Sequence, residues 1–419
     1  MRYRHRVLGM LFLLSILTYL DRVCISVAGP RMQKDLNITP DMWGWVVGAF
    51  TLSYALFEIP TGSMGDRIGP RRVITRIVVW WSAFTALTGS VSSFKLLLLV
   101  RFLFGAGEAG AYPNCSATIA RWFPVVERAR AQGVVWMASR IGGALSPVLV
   151  VPIQMAFGWR MSFWVFGVVG ILWAVWWYVW FRDNPSEKPK VTPEEIAEIG
   201  NPPRKAHESL PWKIVLRRSN LWTIMLMYHA YCWGSYFYLS WLHTYLQKGR
   251  GFTEKEMGFY STLPFICGAC GNLFGGWLSD RMVKRLGVKW GRRVVGCTGL
   301  ALSGCLLVAT GLTESRIAAV IFLALGYGAQ DCFLPVAWAV CLDVGRKYAG
   351  AVTGSMNMAG QFGSFLSSVA FGYMVKYFGN YNTPLVGMGC ALFVSALLFY
   401  RIDASKQLVP GDEPARAGA

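Results

Sequence analysis

The sequence predicts an all-α membrane protein with twelve transmembrane helices in two pseudo-symmetric six-helix bundles. Its composition is 54% hydrophobic and only 15% charged, whereas a soluble globular chain carries about 25% charged residues. Many apolar stretches approach the roughly 20 helical residues that cross a bilayer. Several short motifs also occur twice at a nearly constant spacing. Together these observations favour a polytopic helical protein over a soluble one.

The apolar stretches divide the chain into two sets of six. They are continuous rather than alternating, which favours helices over barrel strands. Two of them are longer than a bilayer requires, which allows a tilt. The stretches lie near 7–29, 43–64, 73–92, 94–120, 132–157, 162–181, 220–246, 256–279, 294–313, 316–343, 349–378 and 381–402. The predicted divisions are an N-terminal bundle at 1–181, a linker at 182–219, a C-terminal bundle at 220–403 and a tail at 404–419.

The net charge of +19 is a topology signal. Lys and Arg concentrate at the N-terminus, in the loops that lie on the same side as it, and in the linker. By the positive-inside rule both termini, the linker and the tail are cytoplasmic. Nucleic acid is therefore not an expected partner. Within the linker, Thr192-Pro193-Glu194-Glu195 has the form of a helix start and predicts a short surface helix; a flexible tether is the alternative.

The two halves of the sequence repeat each other. Gly62-Ser63-Met64-Gly65-Asp66-Arg67 matches Gly276-Trp277-Leu278-Ser279-Asp280-Arg281 at a spacing of 214 residues. Arg71-Arg72 then matches Arg292-Arg293, and Met137-Ala138 matches Met358-Ala359, at a spacing of 221. Repeats that run in the same direction are related by an axis along the membrane normal. They predict a substrate site between the halves near the midplane.

One loop pattern resembles the signature of the major facilitator superfamily. It consists of Gly62, Asp66, Arg67, Gly69, Arg71 and Arg72, and Asp280 with Arg281 belongs to its second copy. The resemblance implies a role in stabilising one conformation rather than in binding substrate. Both halves carry the pattern, so the resemblance implies the same fold for the whole chain.

Further motifs resemble the anion:cation symporter family within that superfamily. They are Tyr19-x-Asp21-Arg22, Arg101-x6-Glu108-x4-Pro113, the run from Arg121 to Gly133, and Asn357-Met358-Ala359-Gly360. The likeness spans about 7–402 and includes bacterial galactonate, glucarate and hexuronate permeases and the animal sialic-acid and vesicular glutamate carriers. The long glycosylated first loop of the animal members is absent. The resemblance therefore implies a multi-pass protein of a bacterial inner membrane.

Six ionisable residues fall inside predicted spans. Such residues are costly in a bilayer and are functional candidates by default. Arg101 and Glu108 are seven positions apart and share a helix face, so we expect an aqueous cavity to hydrate them. The six are Asp21, Arg22, Arg101, Glu108, Arg140 and Asp331.

The resemblance implies that Asp21 and Glu108 are the proton-coupling residues. An acid in apolar surroundings takes up a proton more readily, and a nearby arginine opposes this. A substrate anion that competes for the arginine would release the acid to bind a proton. Structural ion pairs, Asp21 with Arg22 and Arg101 with Glu108, are the alternative.

Arg22 and Arg101 are candidate anion anchors, since a guanidinium holds a carboxylate with two parallel hydrogen bonds. Tyr19, Tyr54, Trp338 and Asn357 match cavity positions of the resembling family, although packing alone is the alternative for each. Gln361 is the repeat mate of Arg140. An arginine at 140 suggests either a second acidic group on the substrate or a partner acid, for which Asp331 is available.

The function predicted is proton-coupled symport of a small organic anion, such as a hexonate, hexuronate or aldarate, by alternating access. An organic-anion exchanger or facilitator is the alternative, and a non-transporting nutrient sensor is a remote one. No nucleotide loop, metal cluster or nucleophile motif stands out, so we expect no enzyme, cofactor or metal. The expected partners are the anion, protons and the lipid bilayer, and we expect a monomer.

Overall fold

The computed structural model describes residues 2–199, 216–345 and 349–408, and within these ranges the chain is almost entirely helical, with no strand. The longer helices agree with the predicted spans to within a few residues at most ends. They are α1 Tyr3–Asp35, α2 Pro40–Ile68, α3 Pro70–Thr88, α4 Phe94–Glu108, α5 Ala111–Trp122, α6 Val125–Phe157, α7 Trp159–Trp180, α8 Pro193–Ile199, α9 Ser219–Ser240, α10 Glu254–Tyr260, α11 Thr262–Leu312, α12 Arg316–Gly345, α13 Ala349–Phe378 and α14 Thr383–Arg401.

One helix break differs from the predicted spans, and two others fall between them. The stretch 94–120 is not one tilted helix, because Gly110 adopts φ 87° and separates α4 from α5. Glycine tolerates this left-handed conformation without a Cβ clash. In the second half, α11 is interrupted at Gly287, where φ is 76°. Gly69 makes the corresponding break between α2 and α3 with φ 91°.

Thr39 and Thr253 lie 214 residues apart, the same spacing as the repeated Gly-Asp-Arg motif, and each directly precedes a helix. Thr39 precedes α2, which has Pro40 at its first position. Thr253 precedes α10 and forms a capping box with Glu256: its hydroxyl accepts from the Glu256 backbone N–H, and the glutamate accepts from the Thr253 N–H at 2.8 Å. The box satisfies two backbone donors that a helix start leaves open.

The chain forms two compact units. The first contains the described residues up to 199 together with Leu239–Thr262, and the second contains 216–238 and the described residues from Leu263 onward. The C-terminal end of the seventh predicted span therefore packs with the first unit. There Arg31 donates to the Glu254 carboxylate at 2.8 and 2.5 Å, and Ser26 bonds His243 at 2.9 Å.

Within each unit the helices pack closely along their lengths. In the first unit α1 lies along α6, α3 along α7, and α2 along α4. In the second unit, α11 and α12 approach so closely that a Cβ atom on Gly271 would lie 2.0 Å from the Gly328 carbonyl oxygen. Small residues permit this backbone contact, as is common between membrane helices.

Six of the described helical stretches are long and apolar enough to cross a membrane by length and composition alone. Shorter pieces such as Phe94–Glu108, with 15 residues, fall below that criterion because the helix break divides a longer apolar run. The six are Tyr3–Asp35, Ala131–Phe157, Trp159–Trp180, Glu254–Leu312, Arg316–Gly345 and Thr383–Arg401.

The linker helix predicted at Thr192 is present as α8, and Thr192 caps it through a bond from the Glu195 N–H at 3.2 Å. Its Glu195 side chain is buried and accepts from the backbone N–H groups of Tyr3 and Arg4 at 3.0 and 2.9 Å. A carboxylate at a helix N-terminus is favourable both as a hydrogen-bond acceptor and as a charge. The linker segment 200–215 and the tail beyond 408 lie outside the described residues.

Candidate functional site

A buried ion pair joins the first and fourth helices. Arg22 of α1 donates from Nε to Oε1 of Glu108, the last residue of α4. Glu108 is fully buried, while Arg22 is partly accessible. Arg22 Nη2 and Glu108 Oε2 have no hydrogen-bond partner in the described part of the chain. The pair therefore keeps an unused donor on one side and an unused acceptor on the other.

Aromatic rings surround the Arg22 guanidinium. Its central carbon lies 5.4 Å from the Tyr19 ring centre, 5.1 Å from that of Phe50 and 4.8 Å from that of Tyr54. A cation within about 6 Å of a ring is attracted by the negative face of the ring. These rings stabilise the charge of Arg22 without neutralising it, so the guanidinium still attracts an anion.

Arg101 shares one of these rings. It lies on α4, is 3% exposed, and has its guanidinium carbon 5.1 Å from the Phe50 ring centre and 4.7 Å from that of Phe104. Phe50 thus lies beside both arginines. The sequence placed Arg101 and Glu108 on one face, but the arginine whose bond to Glu108 is described comes from the neighbouring helix α1.

Asp21 is buried beside the ion pair. It is 4% exposed, and its Oδ1 has no hydrogen-bond partner among the residues that the structure describes. Glu108, Arg101 and Trp81 are within its electrostatic reach. Arg22 follows Asp21 in sequence but bonds Glu108, so the alternative Asp21–Arg22 pair is not among the described ion pairs.

Arg140 belongs to the same cluster. It lies on α6, is buried, and its guanidinium carbon is 5.9 Å from the Tyr19 ring centre. Tyr19 therefore has Arg22 and Arg140 as cationic neighbours. Among the six ionisable residues predicted from sequence, the structure brings together the five that belong to the first unit.

Sequence reasoning missed two aromatic residues that support this cluster. Tyr112 of α5 stacks on Trp136 of α6 with ring centres 4.5 Å apart and meets the edge of Tyr19 at 6.4 Å. Its hydroxyl bonds Ser15 at 3.1 Å. A tyrosine and a tryptophan in apolar spans resemble ordinary core residues, and only the packing of α1, α5 and α6 distinguishes them.

The second unit holds a different set of predicted residues. Trp338 lies on α12 and packs against the hydrophobic core of that unit, while Asn357 and Gln361 lie half-buried on α13. Asp331 is fully buried on α12, where a Cβ on Gly268 would lie 2.7 Å from its Oδ2. Arg140 belongs to the first unit and Asp331 to the second, so their pairing stays a prediction.

The loop motif of the first unit is anchored by an unpredicted residue. Asp183, just after α7, accepts from the Arg71 backbone N–H at 2.9 Å and lies 3.9 Å from Arg121. The Arg71 guanidinium donates to the Tyr178 carbonyl, and Arg72 is exposed. A side chain at Gly69 would meet Asp183. Gly62, Asp66 and Arg67 fall among positions whose side chains lie outside the description.

The second copy of the motif forms its own network. Arg292 donates to Asp343 at 3.1 Å and to Asp280 at 3.2 Å. Arg281 is exposed and lies over the Trp277 ring at 5.4 Å. Asp280 and Asp343 thus both accept a hydrogen bond from the same motif arginine.

These features define a class of protein: a multi-pass helical membrane transport protein with a buried charge cluster. The particular family follows from comparison. The Major Facilitator Superfamily model matches residues 11–368, and the chain belongs to that superfamily. It is accordingly a transporter and not an enzyme.

Several curated transporters are similar to this chain over nearly its whole length. The chain is 35% identical to the "Probable sulfoacetate transporter SauU" of Cupriavidus necator over 98% of this chain and 96% of that one. It is 30% identical to the "Hexuronate transporter" of Bacillus subtilis, with 93% and 92% covered. It is also 30% identical to the "Probable galactarate/D-glucarate transporter GudP" of the same organism, with 94% and 90% covered. The second and third names agree with the sugar-acid carriers that the sequence resembles, whereas sulfoacetate is an organic anion but not a sugar acid.

Solved structures confirm the fold. A bacterial homologue of the human lysosomal transporter Spinster superposes with a TM-score of 0.77 at 21% identity, covering 95% of this chain and 96% of that one. A D-xylose-proton symporter superposes with a TM-score of 0.77 at 15% identity, covering 97% and 100%. Both likenesses concern the fold alone, and they confirm the predicted class of two helical bundles.

Proposed function

We propose that this protein is a proton-coupled symporter of a small organic anion, a sugar acid such as a hexonate, hexuronate or aldarate, and that it works by alternating access. The observation that carries the proposal is the buried pair between Arg22 and Glu108, with an unused donor on the arginine and an unused acceptor on the glutamate. Such a pair links anion binding to proton binding through a shared cation.

The coupling step uses competition for Arg22. A substrate carboxylate that approaches Arg22 accepts from Nη2 and draws the guanidinium charge away from Glu108. Glu108 is then a buried carboxylate with weakened compensation, and burial strongly disfavours such a charge. It takes up a proton. A substrate with one acidic group and one proton on Glu108 together leave the net charge of the cavity unchanged, and a substrate with two acidic groups does so with a second proton on Asp21.

The neighbouring residues take supporting roles in this proposal. Asp21 is the second protonation site, since it is buried and close to Glu108. Arg101 is the second anion anchor. Tyr19 and Tyr54 offer hydroxyl groups to the substrate, and the second unit contributes Trp338, Asn357 and Gln361.

The names of the relatives suggest a role for Arg140 in substrate binding. Sulfoacetate, galactarate and glucarate each carry two acidic groups, and those anions are named for proteins that match over nearly the whole chain. Arg140 shares the Tyr19 ring with Arg22. We therefore assign Arg140 to a second acidic group of the substrate in preference to Asp331. A monomer in a bacterial inner membrane with both termini cytoplasmic completes the proposal.

A binding screen followed by transport measurements tests the function. Purified protein is screened for thermal stabilisation by mono- and diacidic organic anions and by organic cations. The best ligand is then offered to liposomes with and without an inward proton gradient. Symport predicts accumulation that requires the gradient and collapses with a protonophore. Equilibration without accumulation indicates a facilitator, uptake only against internal anion indicates an exchanger, and binding without uptake indicates a sensor.

A further inference from the structure

A groove on the first unit lies apart from the charge cluster, beside the start of α1. It has a volume of about 340 Å³ and is lined by Arg6, Gly9, Met10, Leu13, Trp176 and Trp180. Arg6 is seven residues from Leu13, which places them about 10 Å apart along the helix. That is the distance from a lipid headgroup into the acyl chains. The groove therefore has a cationic end and an apolar body.

Additional cations gather at the Arg6 end of the groove. Arg6 lies 5.8 Å from the Tyr3 ring centre, and Lys188 lies 5.8 Å from the same ring and 5.3 Å from the Trp180 ring. Tyr3 and Trp180 stack with centres 5.4 Å apart. The aromatic pair thus contacts two cations from distant parts of the chain, and tryptophan and tyrosine are residues enriched at membrane interfaces.

These cations have no acidic partner in the described ranges. The structure gives Arg6 and Lys188 no ion pair, whereas the nearby Arg4 bonds both Glu127 and Glu198. Partial burial, together with the charges of Arg182, Arg71 and Lys190, lowers the pKa of Lys188. Every charged neighbour that shifts Lys188 is itself positive, so an anion placed here would relieve mutual repulsion.

We propose that this groove binds an anionic phospholipid, with the phosphate held by Arg6 and Lys188 and an acyl chain along Leu13 and Trp176. Charge complementarity selects the headgroup, and the apolar body of the groove selects a lipid over a soluble phosphate. Basic residues next to a membrane helix favour anionic lipids in general. The groove adds a fixed place for the chain, and it is independent of the transport proposal.

Native mass spectrometry of the purified full-length protein tests the site with an equimolar mixture of phosphatidylglycerol and phosphatidylcholine. The double variant Arg6→Ala/Lys188→Ala should lose up to about 30-fold of the preference for phosphatidylglycerol, as expected for two cations near a membrane surface. The matched control is Lys284→Ala/Arg285→Ala, which removes the same charge from an exposed part of α11 in the second unit. It should retain the preference.

A second variant tests the acyl-chain part while the charges stay in place. A Cβ on Gly9 meets nothing within 4 Å, and Gly9 lines the groove, so Gly9→Leu adds an apolar side chain there from an open backbone position. It should reduce retention of both lipids, whereas Gly387→Leu, at an equally open glycine of α14, should not. Equal losses in both double variants, or full lipid retention by Gly9→Leu, would overturn the proposal. Displacement of phosphatidylglycerol by glycerol phosphate at the same concentration would also overturn it, in favour of a soluble phosphate.

Discussion

The interiors of the two units of this transporter contain different kinds of side-chain contact. In the first unit three arginines lie over aromatic rings, and one of them pairs with a buried glutamate. In the second, the described interior contacts are largely between aromatic rings, such as Tyr231 with Phe333 at 4.9 Å and Tyr238 with Tyr327 at 4.2 Å. Its described cation–ring contacts belong to Arg281 and Arg293, beside the helix break at Gly287.

A histidine in the second unit illustrates the same contrast. His229 Nδ1 donates to the Ala359 carbonyl at 3.1 Å, and its Nε2 accepts from Trp233 Nε1 at 3.4 Å. Both bonds join His229 to uncharged groups of its own unit. A repeated sequence has therefore diverged into a charged half and a mostly neutral half. Under the proposed mechanism, the first unit binds the anion and the proton, and the second unit supplies neutral contacts.

The largest effect is expected from Glu108→Gln, which should abolish pH-driven accumulation of the anion. The amide cannot carry a proton cycle, although it still fills the same space beside Arg22. Accumulation driven by a pH gradient, which reaches about tenfold per pH unit for each coupled proton, should fall to equilibration, while binding of the anion persists. Uptake into liposomes at fixed inside pH measures this. Full gradient-driven accumulation by the variant would remove Glu108 from the mechanism.

Arg101→Ala should cause the next largest effect. Each hydrogen bond to a charged group contributes about 1.5–3 kcal/mol, so the affinity for the anion should fall at least about tenfold. Arg101→Lys should recover only part of it, because an ammonium lacks the two-pronged geometry. Calorimetric titration compares the three proteins. Indifference of binding to Arg101→Ala would show that the first unit anchors the anion elsewhere.

A double-mutant cycle on Arg140 and Asp331 tests whether the charged half depends on the one buried acid predicted in the other half. Arg140→Gln and Asp331→Asn are compared singly and together for unfolding stability and for anion affinity. We expect additive effects within about 0.5 kcal/mol, since Arg140 lies over Tyr19 and Asp331 faces Gly268 in its own unit. A coupling above about 1 kcal/mol would instead identify them as partners.

The smallest expected effect on anion affinity comes from removing the Phe50 ring, which lies beside both Arg22 and Arg101. Phe50→Leu removes a ring 5.1 Å from both Arg22 and Arg101, and each cation–ring contact contributes about 0.5–2 kcal/mol. Anion affinity should change several-fold. The matched control is Phe333→Leu in the second unit, which removes the same atoms from a fully buried ring packed against aromatic neighbours. Phe333→Leu should lower thermal stability without changing the affinity for the anion. Equal losses of anion affinity in Phe50→Leu and Phe333→Leu would contradict the proposed difference between the two units.

Much of the fold was predictable because lipid imposes simple rules. Apolar run length gave the helices, and the doubled Gly-Asp-Arg motif gave the two halves. The break at Gly110 was missed, although Gly110 and the following Pro113 are both weak helix formers. The buried Glu195 cap on α1 was also missed, since no local pattern reveals a partner about 190 residues away.

The residues of the candidate site were easier to predict from the sequence than the contacts between them. Charges inside apolar spans identified Asp21, Arg22, Arg101, Glu108 and Arg140 without any structure. Helical spacing offered Arg101 as an alternative partner of Glu108, whereas Arg22 of another helix makes the described bond. Partner choice depends on how α1 and α4 pack, which spacing within one helix does not contain. The packing of Leu239–Thr262 with the first unit could not be predicted from the sequence for the same reason.

The central claim is that anion binding at Arg22 releases Glu108 to take up a proton. Proton uptake by the purified protein in weakly buffered solution, followed with a pH indicator while a transported anion is added, tests it directly. The account predicts that the wild type removes protons from solution as the anion binds, and that Glu108→Gln binds the anion with that uptake abolished or clearly reduced. Anion binding by the wild type without proton uptake, or equal uptake by Glu108→Gln, would contradict it.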